Sequence, residues 1–348
     1  MLIVHGTAHG RHDPPAAMAR AGQPPHFDAA TRVDLVLEAL REQARHEFRQ
    51  MIDSGLAPIA RVHQADYLDF LRSAWSRWPR DRSSEVALPQ FWPVQRPSGG
   101  PAPRLPQSVV AQLGWFSGDA IAPLMAGTWE AAYESAQVAL TAQRAVSDGA
   151  PCALALCRPP GHHAGAARLA GYCYLNNAAI AAQAFVDGGR PRVAVLDIDY
   201  HHGNGTQEIF YERADVLVCS VHADPQDDYP YFVGRADETG AGAGEGFNLN
   251  CPLPAGSGWP VWRDAMEVCC RRITAFLPQV LVVSLGVDTH RDDPSGSFTL
   301  ESSHYLDIGR RLAALALPTL FVLEGGYALE VIGANVAHVV AGFEDAAR

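Results

Sequence analysis

The strongest constraint on the fold is an alternation of short apolar runs with longer helical segments along the second half of the chain. Continuous aliphatic or β-branched runs predict strands buried on both faces, at residues 192–198, 216–221, 280–285 and 319–323. Helical composition predicts helices at residues 128–146, 176–185, 206–213, 262–276, 303–316 and 329–343. This alternation predicts an α/β fold with a parallel multi-stranded sheet and helices on both faces.

Polar clusters follow each of these predicted strands. Residues 197–204 follow the first strand, His222 the second, residues 286–288 the third and residues 324–327 the fourth. In open parallel sheets, ligands bind outside the carboxyl ends of the strands. We therefore expect these clusters to meet at one edge of the sheet and to form a site.

Asp199 and His201 are candidate ligands of one metal ion. Side chains two residues apart on a strand point to the same face, so the carboxylate and the imidazole can converge. Asp197 lies one step deeper, where a carboxylate among aliphatic residues needs a cation or hydrogen-bond donors. Asp288 is the expected third ligand, with helix capping as its alternative role. Two carboxylates and one imidazole leave coordination positions open, as in a catalytic zinc site.

His162 and His163 are the candidate acid and base. They are adjacent on a loop shaped by Pro and Gly, and two imidazoles with different partners can divide proton transfer between them. We expect Asp197 to pair with His162 and Asn204 with His163. Tyr327 follows two glycines, and its phenol could stabilise an oxyanion opposite a Lewis-acidic metal. Its alternative role is that of an aromatic residue at the rim.

The segment between Trp78 and Gly127 interrupts the alternation. Its many prolines and its Gly99-Gly100 pair make regular structure improbable there. Its aromatic residues favour an ordered insertion over a disordered linker; they are Phe91, Trp92, Trp115 and Phe116. We expect a single domain spanning residues 1–348, with an insertion at about 79–126 that acts as a lid or a dimer contact.

Composition narrows the partners and the compartment. The net charge of -11, with basic residues scattered, argues against a nucleic-acid or membrane partner. The N-terminus reads as a first strand and not as a signal peptide, and no apolar run reaches membrane-spanning length. Seven cysteines without a CxxC pair predict free thiols in the cytoplasm. A Cys269-Cys270 redox pair is the less favoured alternative, because helix neighbours diverge.

Five motifs carry a family resemblance: RPPGHHAG, GYCYLNNAA, LDIDYHHGNGTQEIFY, SLGVDTHRDDP and EGGY. Together they resemble the histone deacetylase superfamily, and more closely its bacterial acetylpolyamine amidohydrolase branch, over nearly the whole chain. The resemblance implies an arginase-deacetylase fold and zinc-dependent deacetylation of small N-acetylated amines. It also implies roles for the residues named above: Asp199, His201 and Asp288 as zinc ligands, His162 and His163 as the acid/base pair with His163 the principal one, and Tyr327 as the electrophilic phenol.

The same resemblance implies further features. Gly171, Tyr172 and Tyr229 would line a tunnel of acyl-lysine size. Potassium would lie behind the zinc, bound through Asp197, Asp199, His201, Ser220 and Val221. A second monovalent site would use carbonyls near Phe210, Arg213, Val216 and Phe247. The Pro-rich insertion would build the interface of a homodimer or a higher homo-oligomer and would narrow the tunnel.

The substrate is less constrained than the reaction. Polyamine-specific relatives place carboxylates or aromatics at four positions that are apolar here: Ala17, Ala19, Val110 and Ile121. Asp13, Asp119 or Glu301 could compensate, and Ser295-Gly296 could widen the pocket floor. Acetylpolyamines lead, with neutral or xenobiotic amides and acetyl-lysine as alternatives. Two further hypotheses are a non-catalytic metal-dependent binding protein and a two-manganese ureohydrolase. The residues present disfavour both.

Overall fold

A parallel sheet forms the centre of the fold in the computed structural model, which describes residues 1–15, 26–79, 85–93 and 102–347. The strands of the described residues are β1 (Leu2–His5), β2 (Glu47–Gln50), β3 (Val86–Ala87), β4 (Leu124–Met125), β5 (Cys152–Ala155), β6 (Val193–Asp197), β7 (Val216–Ala223), β8 (Asn248–Leu253), β9 (Val280–Leu285) and β10 (Thr319–Leu323). The α-helices are α1 (Thr31–Glu42), α2 (Ala65–Arg77), α3 (Val109–Phe116), α4 (Thr128–Ser147), α5 (Asn177–Asp187), α6 (Asn204–Phe210), α7 (Trp259–Phe276), α8 (Ser302–Ala313) and α9 (Ile332–Ala346).

Within the described residues, eight strands pair in the order β2-β1-β5-β10-β9-β6-β7-β8. Every neighbouring pair in this sheet is parallel. Asp197 lies opposite Ser284, and Leu323 lies opposite Leu285, so β6, β9 and β10 end at the same level. The carboxyl ends of β5, β10, β9 and β6 therefore lie side by side, which is where the sequence predicts the site.

Both faces of the sheet are covered, which explains why its strands are continuous apolar runs. Val193 and Val195 belong to a core that includes buried residues of α4 and α5. Ala194 and Leu196 point the other way, into a core that includes buried residues of α1, α7, α8 and α9. Each fully buried Val or Leu contributes about 1.5–3 kcal/mol relative to exposure. The predicted α/β architecture is confirmed.

Most predicted elements are present, with shifted ends. The strand predicted at 192–198 ends at Asp197, so Asp199 and His201 lie beyond it and not on it. The strand predicted at 216–221 continues to Ala223, so His222 lies inside β7 and does not follow it. The helix predicted at 176–185 begins one residue later, at Asn177, because Asn176 is its N-cap and its side chain accepts the Ala179 N–H at 2.9 Å.

The insertion contains regular structure, contrary to the sequence prediction. Residues 109–116 carry no Pro and form α3, and β3 pairs antiparallel with β4. The aromatic residues pack only in part: the Phe116 ring centroid lies 4.9 Å from that of Phe70 on α2, whereas Phe91 is 63% exposed. The indole N–H of Trp92 donates to the carbonyl of Ser117 at 3.0 Å. Whether the insertion acts as a lid or as a dimer contact stays a prediction.

The cysteines and the helices bear on two expectations from the composition, free thiols and no membrane-spanning segment. All seven cysteines are described, and none of them forms a disulfide; Cys269 and Cys270 are both buried in α7. Across the described ranges, no helix is long and apolar enough to cross a membrane.

Candidate active site

Asp199 and His201 lie in the turn between β6 and α6. The turn is fixed by backbone donors: the Asp199 N–H donates to the Asp197 carboxylate at 3.1 Å, and the His201 N–H donates to that of Asp199 at 2.9 Å. The second oxygen of Asp199 accepts the Gly325 N–H at 2.7 Å. The two side chains therefore converge through a hydrogen-bonded turn, and not through the strand alternation on which the sequence prediction rested.

Asp288 completes the cluster from the end of β9. Its Oδ1 accepts the Tyr200 N–H at 2.8 Å, and its Oδ2 lies 3.3 Å from His201 Nδ1. His201 Nδ1 lies 3.4 Å from Asp199 Oδ1. This approach requires two glycines: a Cβ on Gly286 would lie 2.2 Å from Asp199 Oδ2, and one on Gly325 would lie 2.3 Å from Asp288 Oδ2.

The chemistry of this cluster fits a divalent cation. One ligand atom from each of Asp199, His201 and Asp288 lies within 4.8 Å of the other two. Asp288 Oδ2 is buried without a hydrogen-bond partner among the described residues. Burial and the Asp199 charge raise the pKa of Asp288 to about 8. Burial alone would lower the pKa of His201, but the nearby Asp199 and Asp288 carboxylates raise it to about 10. Without a metal the cluster retains protons, so a cation would supply the positive charge that it lacks.

His162 is held from two sides. Its Nδ1 lies 3.0 Å from Asp197 Oδ2, the pairing predicted from the sequence. Its backbone N–H and that of Gly161 donate to Glu324 Oε2, at 3.1 and 2.6 Å. Burial opposes the imidazolium form, but the charges of Asp199 and Asp197 outweigh it and hold the pKa of His162 well above its usual value. His162 is therefore protonated at neutral pH in the metal-free site.

His163 has the opposite electrostatics. Its Nδ1 lies 2.8 Å from the Asn204 side-chain oxygen, again as predicted. Burial, followed by the charges of His162 and His201, lowers the pKa of His163 well below its usual value. An Nδ1–H donated to Asn204 leaves Nε2 as a proton acceptor. The two adjacent imidazoles thus differ in protonation, which suits His163 to act as a base.

Tyr327 is buried, and its position depends on Asp293 and Arg32, for which the sequence predicted no role. Asp293 Oδ2 accepts the Tyr327 N–H at 2.6 Å and the Ala328 N–H at 3.1 Å. The Arg32 guanidinium lies 4.7 Å from the ring centroid and donates to the Gly326 carbonyl at 2.6 Å. Burial raises the pKa of the Tyr327 phenol well above its usual value, so the hydroxyl stays a donor.

The predicted tunnel residues surround this cluster. The Tyr229 ring lies edge-to-face with His163 at 4.9 Å, and the Tyr172 ring lies 5.7 Å from that of Tyr327. Gly171 has φ +50°, and a Cβ there would lie 2.2 Å from His163 Cδ2. The backbone at this position must therefore approach the candidate base directly, which requires glycine.

The residues predicted to bind potassium lie beneath the cluster. Asp197 and Ser220 face each other across the β6–β7 register, and Val221 is fully buried in β7. Ser220 Oγ lies 2.7 Å from His222 Nδ1. At the predicted second site, the Phe210 carbonyl accepts the Arg213 N–H at 3.0 Å, and the Phe247 carbonyl accepts the Val218 N–H at 3.0 Å. Val216, the remaining residue of that site, begins β7. Potassium binding at either place stays a prediction.

Only some of the residues that could determine substrate choice lie near the site. Ala17 and Ala19 lie outside the described residues, and Val110 and Ile121 are half-buried. Among the possible compensating carboxylates, exposed Glu301 pairs with Arg291 at 2.7 Å, and Asp13 lies 3.5 Å from Arg158. Asp119 is different, because its Oδ2 accepts the Gly171 N–H at 2.8 Å and the Tyr229 hydroxyl at 2.6 Å. Asp119 is therefore at the tunnel wall.

The pocket floor beside Asp288 is packed and not open. Ser295 Oγ donates to Asp293 Oδ1 at 2.7 Å. A Cβ on Gly296 would lie 2.8 Å from the Asp288 carbonyl oxygen and 3.1 Å from the Tyr200 ring. The backbone approaches closely here, so the glycine removes a clash next to the third ligand.

Comparisons with known proteins give consistent results. A family model described as histone deacetylase domain matches residues 26–343. The chain is 50% identical over 349 residues to acetylpolyamine amidohydrolase 1 of Pseudomonas aeruginosa, covering 100% of each chain. It is 43% identical over 318 residues to acetylpolyamine amidohydrolase of Mycoplana ramosa, covering 91% of this chain and 92% of that one.

Solved structures show the same fold. The TM-score is 0.92 to acetylpolyamine aminohydrolase from Burkholderia pseudomallei, at 40% identity, with 99% of each chain covered. It is 0.80 to the HDA15 HD domain, at 25% identity, with 99% of this chain and 90% of that chain covered. These neighbours have the arginase-deacetylase fold, so the predicted fold class is confirmed.

Proposed function

The chain belongs to the histone deacetylase family, and from that premise we propose a zinc-dependent amidohydrolase that removes the acetyl group from small N-acetylated amines, acetylpolyamines first. The observation that carries the proposal is the convergence of the Asp199-His201-Asp288 cluster with two oppositely tuned histidines and a buried phenol. The names of the full-length relatives support acetylpolyamines as the substrate class.

Asp199, His201 and Asp288 would hold the zinc ion through their carboxylate oxygens and an imidazole nitrogen. The bound ion would supply Lewis acidity, which lowers the pKa of water and polarises a carbonyl. Two carboxylates keep the charge of the cluster negative enough to hold the ion. The glycines at positions 286 and 325 allow both carboxylates to face the same point.

The side chains around the ion would perform the proton transfers. His163, held by Asn204, takes a proton from the attacking water through Nε2 and returns it to the departing amine nitrogen. His162 is oriented by Asp197 and, as an imidazolium, would stabilise negative charge that develops on the carbonyl oxygen. Tyr327 donates a hydrogen bond to that oxygen. The C–N bond breaks, and the products are a free amine and acetate.

Several features remain proposals with less structural support. We propose one catalytic domain with potassium bound behind the zinc, through Asp197, Ser220 and Val221 among other ligands. A homodimer or higher homo-oligomer formed through the insertion, a cytoplasmic location and the absence of nucleic-acid or membrane partners follow from the resemblance and the composition.

One observation favours a second candidate function. Val110 is half-buried and packs against the core, and Ile121 is half-buried as well, so neither offers a charge to a polyamine. An amidase for neutral or xenobiotic amides, or an acetyl-lysine deacetylase, would have the same catalytic residues and would not need those charges. The two functions differ only in how strongly an ammonium group on the substrate favours catalysis.

A substrate panel on the zinc-loaded protein tests the proposal. We expect hydrolysis of N-acetylputrescine and N-acetylspermidine, inhibition by a hydroxamate and loss of activity in His163→Ala. A panel on which no acetylated amine is hydrolysed, with zinc bound, would contradict the proposed function. Higher rates on uncharged amides than on acetylpolyamines would favour the second candidate.

A further inference from the structure

Asp119 connects the insertion to both walls of the tunnel. It follows α3, and its Oδ1 accepts the Ile121 N–H at 2.9 Å, which fixes the loop around it. Its Oδ2 reaches Gly171 on one wall and the Tyr229 hydroxyl on the other. The Tyr229 ring in turn contacts His163. The Tyr229 side chain therefore links this carboxylate to the candidate base, with its hydroxyl on Asp119 and its ring against His163.

No described residue neutralises the charge of Asp119. Among the residues that the structure describes, no Arg or His nitrogen lies within ion-pair distance of its oxygens. The nearest candidate cations are engaged elsewhere: Arg168 pairs with Glu208, and Arg213 pairs with Asp215 at 2.7 Å. Burial raises the pKa of Asp119, as expected for a carboxylate whose hydrogen bonds orient it without a cation nearby.

A cavity of about 810 Å³ is lined by both Asp119 and Tyr229. Three further carboxylates line it, and they outnumber the two guanidiniums of Arg168 and Arg213; they are Glu208, Glu212 and Glu238. Tyr231, half-exposed at 51%, contributes an aromatic face. Glu208 is paired with Arg168, but the lining keeps an excess of negative charge, and this excess and the aromatic faces together favour an organic cation.

We propose that Asp119 is the specificity-determining residue that binds the ammonium group of the substrate, in place of the carboxylates absent at positions 110 and 121. This inference rests on the proposed function and narrows it to cationic N-acetylamines. The Tyr229 hydroxyl orients the carboxylate, and the Tyr229 ring packs against the methylene chain. The ammonium group supplies the positive charge that the surrounding protein does not.

The test compares two substrates that differ in one charge. N-acetylputrescine ends in an ammonium group, and N-pentylacetamide has a methyl group in its place. We expect Asp119→Asn to lower kcat/KM for N-acetylputrescine roughly 10- to 100-fold, mainly through KM, since each tenfold loss corresponds to about 1.4 kcal/mol. We expect the same variant to change kcat/KM for N-pentylacetamide by no more than about threefold.

Two further variants separate charge from wall structure. Tyr229→Phe removes one donor to Asp119 but retains the carboxylate and its two backbone donors, the Gly171 and Ile121 N–H groups, which still orient it, so the preference for N-acetylputrescine should persist. Asp227→Asn removes an exposed carboxylate from the loop that carries Tyr229, and it should leave both substrates unaffected. Circular dichroism and the melting temperature check that each variant is folded.

Three results would overturn the inference. Equal losses of kcat/KM for both substrates in Asp119→Asn would show that the carboxylate maintains the shape of the tunnel wall and does not bind the ammonium group. Loss of the preference for N-acetylputrescine over N-pentylacetamide in Tyr229→Phe would lead to the same conclusion. This test holds even if Asp119→Asn does not fold. Unchanged kinetics on both substrates in Asp119→Asn would show that Asp119 has no role in substrate binding. A wild-type protein that hydrolyses neither substrate would instead contradict the proposed function, and this inference with it.

Discussion

Replacing Asn204 by Asp should change the pH dependence of catalysis in a predictable direction. In the native protein a neutral amide oxygen lies 2.8 Å from His163 Nδ1, and the pKa of His163 lies well below its usual value. The neutral imidazole therefore predominates at neutral pH and is available as a base. Asn204→Asp puts a carboxylate in the same place, which favours the imidazolium form.

The size of the effect follows from the geometry. An opposite charge within hydrogen-bond distance of a titrating group shifts its pKa by about 1 to 3 units. The imidazolium loses the base function, so activity is lost as the pH falls through the pKa of His163. We expect the acid limb of the kcat/KM profile to move upward by about 1 to 3 pH units in Asn204→Asp.

The assay is the pH profile of kcat/KM on N-acetylputrescine between pH 5 and 9, an experimental range of about four units around neutrality. Asn204→Ala serves as a complement, because it removes the hydrogen bond without adding charge and should lower kcat without an upward shift. Gln226→Glu adds an exposed carboxylate that does not contact His163, and it should leave the profile unchanged. An acid limb that stays in place in Asn204→Asp would refute the assignment of His163 as the base.

Three further predictions follow from the site. Gly171→Ala should abolish activity while the fold survives, because its Cβ would lie 2.2 Å from His163 Cδ2 at φ +50°; steady-state kinetics with circular dichroism checks this. Tyr327→Phe should lower kcat roughly 100- to 1,000-fold with little change in KM, and an unchanged kcat would remove the phenol from the mechanism. In the metal-free protein the pKa of Asp288 is raised to about 8 and that of His201 to about 10. Their protons stabilise the folded state at low pH, and this stabilisation is lost as the pH rises through both values. The melting temperature of the chelated protein should therefore fall between about pH 7 and 10 relative to the zinc-loaded protein, and parallel curves would contradict the assignment.

The carboxyl ends of β9 and β10 could be predicted from the sequence, and that of β6 to within one residue, because parallel buried strands are continuous apolar runs. The polar residues that follow β6, β9 and β10 then had to meet at one edge of the sheet. Their pairing could also be predicted, since Asp197 and Asn204 lie close in sequence to the ligand turn. The prediction that strand alternation brings Asp199 and His201 together was wrong. β6 ends at Asp197, and the turn that follows brings the two side chains together.

The residues that fix Tyr327 could not be predicted from the sequence. Arg32 contacts the Gly326 carbonyl across 294 residues, and no periodicity or motif links the two. Asp293 stands in a run that reads as a polar loop, and only the structure shows that it accepts two backbone N–H groups beside the phenol. Long-range polar contacts of this kind depend on the packed tertiary structure.

Among the elements that were not predicted, β8 and α3 were missed for local physical reasons. β8 contains two asparagines and a proline, which have low strand propensity, and it forms at the edge of the sheet. α3 is only eight residues long and follows a Pro-rich segment, so the prolines around it hid a short apolar helix. Its packing on α2 supplies the stability that its length does not.

Zinc titration of the metal-free protein tests the central claim most directly. We expect chelated protein to hydrolyse no N-acetylputrescine, and we expect the rate to rise linearly with added zinc and to stop rising at one equivalent per chain. The same titration of Asp288→Asn should give little zinc binding and little activity, because this variant lacks one of the two carboxylates. Full activity in the metal-free protein, or wild-type zinc binding in Asp288→Asn, would contradict a catalytic zinc held by Asp199, His201 and Asp288.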